Sequence, residues 1–368
     1  MSRLNEFEKS KKYHKKDKTV RKRILNILTI ILIVLLILVI CGAAFLYFTW
    51  KKGKDAIVSA PLEVNLKVED AFEEIEEKPV IHNAGTLVEY KGKTYDINSN
   101  ITTCVLAGID TDELGNSDKY SAGQADVIIV AAYDLQKGDV KFIVIPRDTM
   151  VDMDIYSAKD SYTGVKENFE GIEKQAICLS FAYGDGKQIS CEYLKSSVSR
   201  LLMGIPINSY AVIDLNGVGA MNDAVGGITL TSLETIDKFT EGETITLDNE
   251  TALQYVRARR SDIVDADKYR RQRQKQFINE FTKVAVDKIK TDLSVVAKLY
   301  SVATTYGFTD YTLSRVTYLA STAIQNGVNL YDFTTIPGEY KQNGNFAEFY
   351  SDTQGLFELI LDVFYNEV

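Results

Sequence analysis

Three runs decide the fold: Cys104-Val105-Leu106-Ala107-Gly108-Ile109, Val127-Ile128-Ile129-Val130-Ala131-Ala132-Tyr133 and Val140-Lys141-Phe142-Ile143-Val144-Ile145. The first two are almost continuously apolar, as strands covered on both faces of a sheet are. Leu135-Gln136-Lys137-Gly138-Asp139 joins the second run to the third with turn-forming residues, which predicts a hairpin. Tyr210-Ala211-Val212-Ile213-Asp214 reads as a further strand. Helices are predicted over 172–183, 191–203, 216–225, 249–258, 268–290, 293–304 and 311–325, with Gly226-Gly227 as a break after the third. Strands mixed with helices in this way predict an α/β domain: an α-β-α-like layered mixed sheet with surrounding helices. A hairpin over Thr86–Tyr95, turning at Gly92, marks where folding begins, so one domain is expected over 86–368. Its last segment, 290–368, is rich in Tyr and Phe and is expected to complete the core.

Further upstream, Ile24 to Trp50 contains no charged residue. About 20 apolar residues cross a hydrocarbon core of about 30 Å, so a single transmembrane helix is predicted over 24–50. The apolar region of a cleavable signal peptide is only about 7–15 residues long. Leu38-Val39-Ile40-Cys41 also places bulky Ile40 where a lipoprotein signal requires a small residue. Residues 1–23 hold ten Lys or Arg against Glu6, Glu8 and Asp17, whereas the far flank offers only Lys51, Lys52 and Lys54. This asymmetry predicts a cytoplasmic basic tail (1–23) and places everything after Trp50 outside. Anionic membrane lipids are the expected partner of the tail. Residues 51–85, acidic around Glu69–Glu77 and interrupted at Pro79, read as an extracytoplasmic stalk.

Charge separates with compartment. The chain carries −9 overall and its tail +7, which leaves −16 for the rest. Repulsion between two polyanions argues against nucleic acid as a partner, and any anionic ligand must meet a local cluster of cations. Cys41 falls in the predicted span. Cys104, Cys178 and Cys191 are too few for a disulfide framework, so apolar burial must hold the fold together. A Cys178–Cys191 bridge and buried free thiols both fit that count. With His14 and His82 as the only histidines, a Ser-His-Asp triad and a His-ligated metal are excluded. No P-loop sequence occurs.

Four clusters carry chemistry. Asp110 closes the first strand and Asp126 opens the second, both at the sheet rim where α/β ligand sites lie. One or two carboxylates with phosphate oxygens commonly hold Mg²⁺, although an Asp at a strand end also serves as a turn or cap residue. Ile145-Pro146-Arg147-Asp148-Thr149 follows the third strand. Proline ends the ladder, and Arg147 projects from the same rim or pairs with Asp148 at the surface. Between Arg257 and Lys275 stand six arginines and two lysines. Arginine binds phosphate oxygens in bidentate fashion and remains charged when partly buried. Arg270, Arg273 and Gln274 share one helical face. The apolar stripe Phe277, Ile278 and Phe281 continues that helix, so it must pack. Anion binding and a solvated basic face are the two readings of this run.

Seven segments in order resemble the LytR-CpsA-Psr family of bacterial cell-wall enzymes. They are Gly108-Ile109-Asp110, Ala125-Asp126, Ile145-Pro146-Arg147-Asp148-Thr149, Phe181-Ala182-Tyr183-Gly184, Tyr210–Asp214 with Val225-Gly226-Gly227-Ile228, Ala252–Arg259 and Arg270-Arg271-Gln272-Arg273-Gln274. The resemblance implies a phosphotransferase that moves a glycopolymer, of the wall teichoic acid or capsular polysaccharide type, from an undecaprenyl pyrophosphate carrier to peptidoglycan. Asp110 and Asp126 would bind Mg²⁺ (or Mn²⁺) or act as base, with Arg147 beside them as a catalytic and phosphate-binding residue. Arg257, Arg259, Arg270 and Gln274 would hold the pyrophosphate, with Arg273 close by, and the lipid would occupy an apolar groove between sheet and helices. The cell membrane of a bacterium, Gram-positive in type, is the implied location. One departure stands out: the family's Lys-x-Asn pattern before Phe181 is replaced by Ala176 and Cys178, with Lys174 two places earlier. A hydrolase on the same site and a carrier-binding regulator without ligase activity are the alternatives.

Overall fold

Residues 42–58, 64–66, 75–112, 114–115, 122–156, 169–260, 266–292, 294–344 and 346–368 are described by the structure, a computed structural model. The chain divides into two units, Met1–Lys52 and Gly53–Val368. The predicted tail 1–23, and the predicted span 24–50 as far as residue 41, lie outside the described residues. Residues 42–58 are helical (α1), and among the described residues no helix is long and apolar enough to cross a membrane.

In the second unit, β1 (Val80–His82), β2 (Leu87–Tyr90) and β3 (Lys93–Ile97) come first. The expected hairpin is β2–β3, and Lys91 and Gly92 turn it with φ of 50° and 71°. Next come β4 (Ile101–Ile109), β5 (Ala125–Asp134) and β6 (Asp139–Ile145), joined antiparallel, with the expected turn over 135–138. β7 (Met150–Tyr156), β8 (Phe169–Ala176), α2 (Leu179–Ala182) and α3 (Gln188–Leu201) follow. The predicted helix 172–183 is instead strand β8, paired antiparallel with β7, and then the single turn α2. Glu173, Lys174 and Gln175 favour a helix locally, but the ladder to β7, with Lys174 opposite Asp152, overrides that preference.

β9 (Ser209–Ile213), α4 (Leu215–Ala224), β10 (Ile228–Thr231), β11 (Thr244–Leu247), α5 (Asn249–Arg257), α6 (Ala266–Thr291), α7 (Ser294–Thr305), β12 (Gly307–Thr309) and α8 (Leu313–Asn326) continue the chain. Gly226 and Gly227, at φ of 88° and 84°, end α4, where the Gly227 N–H returns to the Asn222 carbonyl at 2.9 Å. The chain closes with β13 (Asn329–Thr335), β14 (Gly338–Asn343), β15 (Phe346–Ser351), α9 (Thr353–Phe364) and β16 (Tyr365–Glu367).

The central sheet has the order β12-β9-β4-β5-β6-β13. β4–β9 and β6–β13 are parallel and the other pairs antiparallel, so the sheet is mixed, as expected. Alternation along its strands divides the two faces. Val105, Ala107 and Ile109 of β4, with Ile128 and Val130 of β5, enter the main core beside Leu194 and Val198 of α3. Leu356, Phe357, Ile360 and Phe364 of α9 join the same core, so the C-terminal segment completes it. Val64, Leu66 and Ile75, within the stretch read as a stalk, are also buried there. A second core packs Val225, Ile228, Leu247, Tyr255 and Phe277 among α4, α5, α6 and the β10–β11 ribbon. Between this second layer and the other face of the sheet lies a cavity.

Candidate active site: a cation-rimmed apolar cavity

Asp110 directly follows β4. Its Oδ1 accepts the Gln124 N–H at 2.6 Å, while its own N–H donates to the Gln124 carbonyl at 3.1 Å. Gly123 permits this approach: at φ 81° it is left-handed, and a Cβ there would stand 2.5 Å from Ile109 Cγ2. Three residues on, Asp126 sits on β5, with its side chain 16 % exposed. Pro146 stops β6, and the Thr149 N–H and Oγ1 both donate to its carbonyl, at 3.0 and 2.6 Å. That turn aims Arg147 back at the strand ends. Its Nη1 pairs with Asp126 Oδ1, its Nη2 donates to Gln124 Oε1 at 2.8 Å, and its Nε reaches Asp148 Oδ1 at 3.4 Å. Burial opposes the Arg147 charge. Asp126, then Cys178, Asp148 and Asp110, outweigh it and hold the guanidinium above the ordinary arginine range.

A second cation arrives on α6. Arg270, 6 % exposed, places Nη1 3.5 Å from Asp126 Oδ2. Asp126 therefore bridges two guanidinium groups drawn from different elements. Arg257, at the end of α5, is half exposed, with Nη1 3.9 Å from Asp112 Oδ1. Gln274 Nε2 donates to the Val256 carbonyl at 3.3 Å. Asp110, Asp126, Arg257, Arg259, Arg270 and Gln274 all line one cavity of about 650 Å³. Leu106, Val127 and Ile129 of the sheet line the rest, with Val218 and Met221 of α4 and Phe277, Ile278 and Phe281 of α6. The thirteen residues from Arg270 to Thr282 run along α6 for about 18 Å. The cavity is thus an elongated apolar slot with its charges gathered at the strand ends.

The structure does not bring Arg273 into this site. It is 1 % exposed and turned away from the cavity. Its Nε donates to the Tyr255 carbonyl at 2.9 Å, its Nη2 to the Ala258 carbonyl, and its Nη1 pairs with Glu234. Arg273 clamps the C-terminal end of α5, so that Arg257 and Arg259 leave it in fixed directions. Lys174 is also elsewhere, exposed on the β7–β8 ribbon. At the position of the family's asparagine, Cys178 lies against the site. Its N–H donates to the Arg147 carbonyl at 3.1 Å and its Sγ is 3.9 Å from Gln124 Oε1. Cys104, Cys178 and Cys191 are free and buried, which decides between the two readings of the thiols. Burial raises the Cys178 thiol to about 11, opposed mainly by Arg147. Gln124 and Glu234 were not singled out from sequence. Gln124 directly precedes the quoted Ala125-Asp126, whereas nothing near Glu234 advertises its partner 39 residues away.

Among the described residues no group of three or more His, Cys, Asp or Glu side chains could hold a metal ion. The chemistry of the donor set still suits Mg²⁺: one or two carboxylates completed by phosphate oxygens and water is its usual arrangement. Asp110 and Asp126 are the residues that would hold it.

Fold and site together define an α/β domain with a cation-rimmed apolar slot between its sheet and one helical layer. The family model described as LytR_cpsA_psr family matches residues 67–360, and the chain belongs to that family. It is 27% identical over 217 residues to the polyisoprenyl-teichoic acid–peptidoglycan teichoic acid transferase TagU of Enterococcus faecalis, covering 54% of this chain and 63% of that one. To the corresponding transferase TagV of Bacillus subtilis it is 29% identical over 196 residues, 50% of this chain and 44% of the relative. The chain thus spans less than two thirds of the length of these curated relatives. The crystal structure of B. subtilis TagV superposes with a TM-score of 0.53 at 23% identity, covering 72% of this chain and 95% of that one, which shows a shared fold.

Proposed function

We propose that this protein is a phosphotransferase that moves a glycopolymer from a polyprenyl pyrophosphate carrier to peptidoglycan, on the outer face of a bacterial membrane. The observation that carries the reading is the meeting of Asp110, Asp126, Arg257, Arg259 and Arg270 at one end of an elongated apolar slot. A diphosphate on a long hydrocarbon chain needs both halves: cations for the head and apolar walls for the tail. The names of the curated relatives support the transfer of teichoic acid to peptidoglycan in particular.

In this mechanism the prenyl chain lies along α6, and Arg257, Arg259 and Arg270 hold the pyrophosphate. A hydroxyl of the acceptor sugar attacks the phosphorus that bears the glycan. A P–O bond to the acceptor forms, the anhydride P–O bond breaks, and polyprenyl phosphate leaves. Asp110 or Asp126 accepts the hydroxyl proton. Arg147, held firmly charged, stabilises the charge that develops on the transferring group, and its fixed hydrogen bonds spare the cost of reorganisation. When bound, Mg²⁺ supplies further neutralisation of the phosphate oxygens.

The test is transfer of a saccharide from a synthetic polyprenyl pyrophosphate to peptidoglycan oligomers by the full-length chain, with Mg²⁺ and with EDTA. Arg257→Ala with Arg259→Ala should abolish transfer. Phosphate release that outruns transfer in the presence of acceptor would sink the ligase reading in favour of a hydrolase. Tight carrier binding without turnover would favour a regulator.

A further inference from the structure

A second cavity, of about 280 Å³, lies between β7, α2 and α3. Met153, Asp154, Tyr183, Ser196, Ser197 and Arg200 are among its walls. Its charges are already matched: Arg200 donates to Asp154 Oδ1 and to the Asp152 carbonyl, both at 2.9 Å. Glu192, also on the wall, pairs with Lys195 at 2.7 Å. An ion entering here would find no unbalanced charge to compensate it. What the walls offer instead is hydroxyls. Ser197 is 6 % exposed, and its hydroxyl, with no hydrogen bond to a described side chain, stays accessible at the cavity wall. That leaves the hydroxyl available to a guest in a cavity large enough for a ligand. Ser196 and the half-exposed Tyr183 likewise carry hydroxyls without a partner among the described residues, so donors and acceptors stand beside an aromatic ring. Neutral hydroxyls with an aromatic face suit an uncharged, hydroxyl-rich ring.

The cavity is tied to the reaction site through the backbone. β7 begins directly after Asp148-Thr149, and α2 directly after Cys178. The two starting points are fastened together by Ile177 N–H to the Thr149 carbonyl at 2.8 Å and Cys178 N–H to the Arg147 carbonyl at 3.1 Å. From Thr149 to Asp154 the strand advances about 17 Å. A chain of sugars seated in the cavity can therefore extend toward Arg147. We propose that this cavity is a subsite for a neutral sugar residue of the glycan on which the enzyme acts, an assignment that rests on the transferase reading above.

Two sources share this chemistry, the acceptor strand and the glycan of the donor, and the assay separates them. The full-length chain is given peptidoglycan oligosaccharides of two and of six sugars as acceptors, and polyprenyl pyrophosphates bearing one or three sugars as donors. Ser197→Met fills the cavity, and Tyr183→Ala trims its half-exposed edge and should leave folding intact. If the acceptor strand binds here, both variants raise KM for the six-sugar acceptor at least tenfold, while kcat and the KM values for the two-sugar acceptor and the donors stay unchanged. A rise confined to the three-sugar donor assigns the subsite to the donor glycan. If wild-type protein transfers nothing, equilibrium binding of the six-sugar oligosaccharide is compared between wild type and variants, which separates failure of this subsite from failure of the transferase reading. Folded variants indistinguishable from wild type toward every saccharide would overturn the proposal.

Discussion

Asp126 accepts from two arginines that reach it from different elements, Arg147 after β6 and Arg270 on α6. Removing its charge while keeping its shape leaves both guanidinium groups free to grip a diphosphate more firmly, but takes away a base. Asp126→Asn is therefore expected to lower kcat by about 100-fold or more without raising the donor KM, which steady-state transfer kinetics would read. Cys178 offers a test by pH. Its raised pKa means that the neutral thiol is favoured in the fold and that thiolate forms only as pH climbs toward about 11. At pH 8 a thiol that titrates near 11 has a thiolate fraction about 100-fold below that of an ordinary cysteine. Alkylation of native protein, followed by mass spectrometry at residue 178, should accordingly be slow and rise steeply only in strong alkali; rapid labelling at pH 8 would contradict this environment. The residues on the rim were legible because Asp110, Asp126 and Arg147 each stand where a strand begins or ends. Arg273 was not. Its spacing from Arg270 puts it near the same helical face, and only the folded chain shows that it turns to Glu234 and the carbonyls of Tyr255 and Ala258.

The elements α5 and α6 act as a pair. Asp248 caps α5 by accepting the Thr251 N–H at 2.9 Å, and Arg273 on α6 holds its other end. Glu234 makes that clamp possible by neutralising a guanidinium that is almost wholly buried. Glu234→Ala strands this charge and is expected to cost about 3–5 kcal/mol of stability, measurable by urea denaturation of the full-length chain, whereas Glu234→Gln should cost less. Weaker donor binding should accompany the loss, because Arg257 and Arg259 would leave α5 in loosened directions. The β7–β8 ribbon teaches the opposite lesson about legibility. Its second strand carries helix-favouring residues, and from Gly171 to Ala176 none is fully buried, so its pairing with β7, not its own composition, gives it its form. Strands β4 and β5 were readable because burial on both faces demands apolar residues almost throughout, and β6 because a recognisable turn joins it to β5.

Across the whole molecule, the two faces of the central sheet have different partners. One is sealed by α3 and α9, while the other, with α4 and α6, bounds the slot. A sequence cannot distinguish these covers, since core and slot both ask for apolar residues. Gly108 marks the difference: a Cβ there meets nothing nearer than Val127 at 3.6 Å. Gly108→Leu should therefore leave the melting temperature almost unchanged yet obstruct the slot, and a loss of prenyl-chain affinity of about tenfold is expected, equivalent to about 1.4 kcal/mol. The most direct measurement is equilibrium binding of a polyprenyl pyrophosphate, and of the same polyprenol without phosphates, to the full-length chain. If the rim cations hold the head and the slot holds the tail, the pyrophosphate should bind at least about 100-fold more tightly, as expected for two or more charge-assisted hydrogen bonds. Arg257→Ala with Arg259→Ala should erase most of that difference. Equal affinity of the wild-type chain for the two lipids would contradict the assignment of this site.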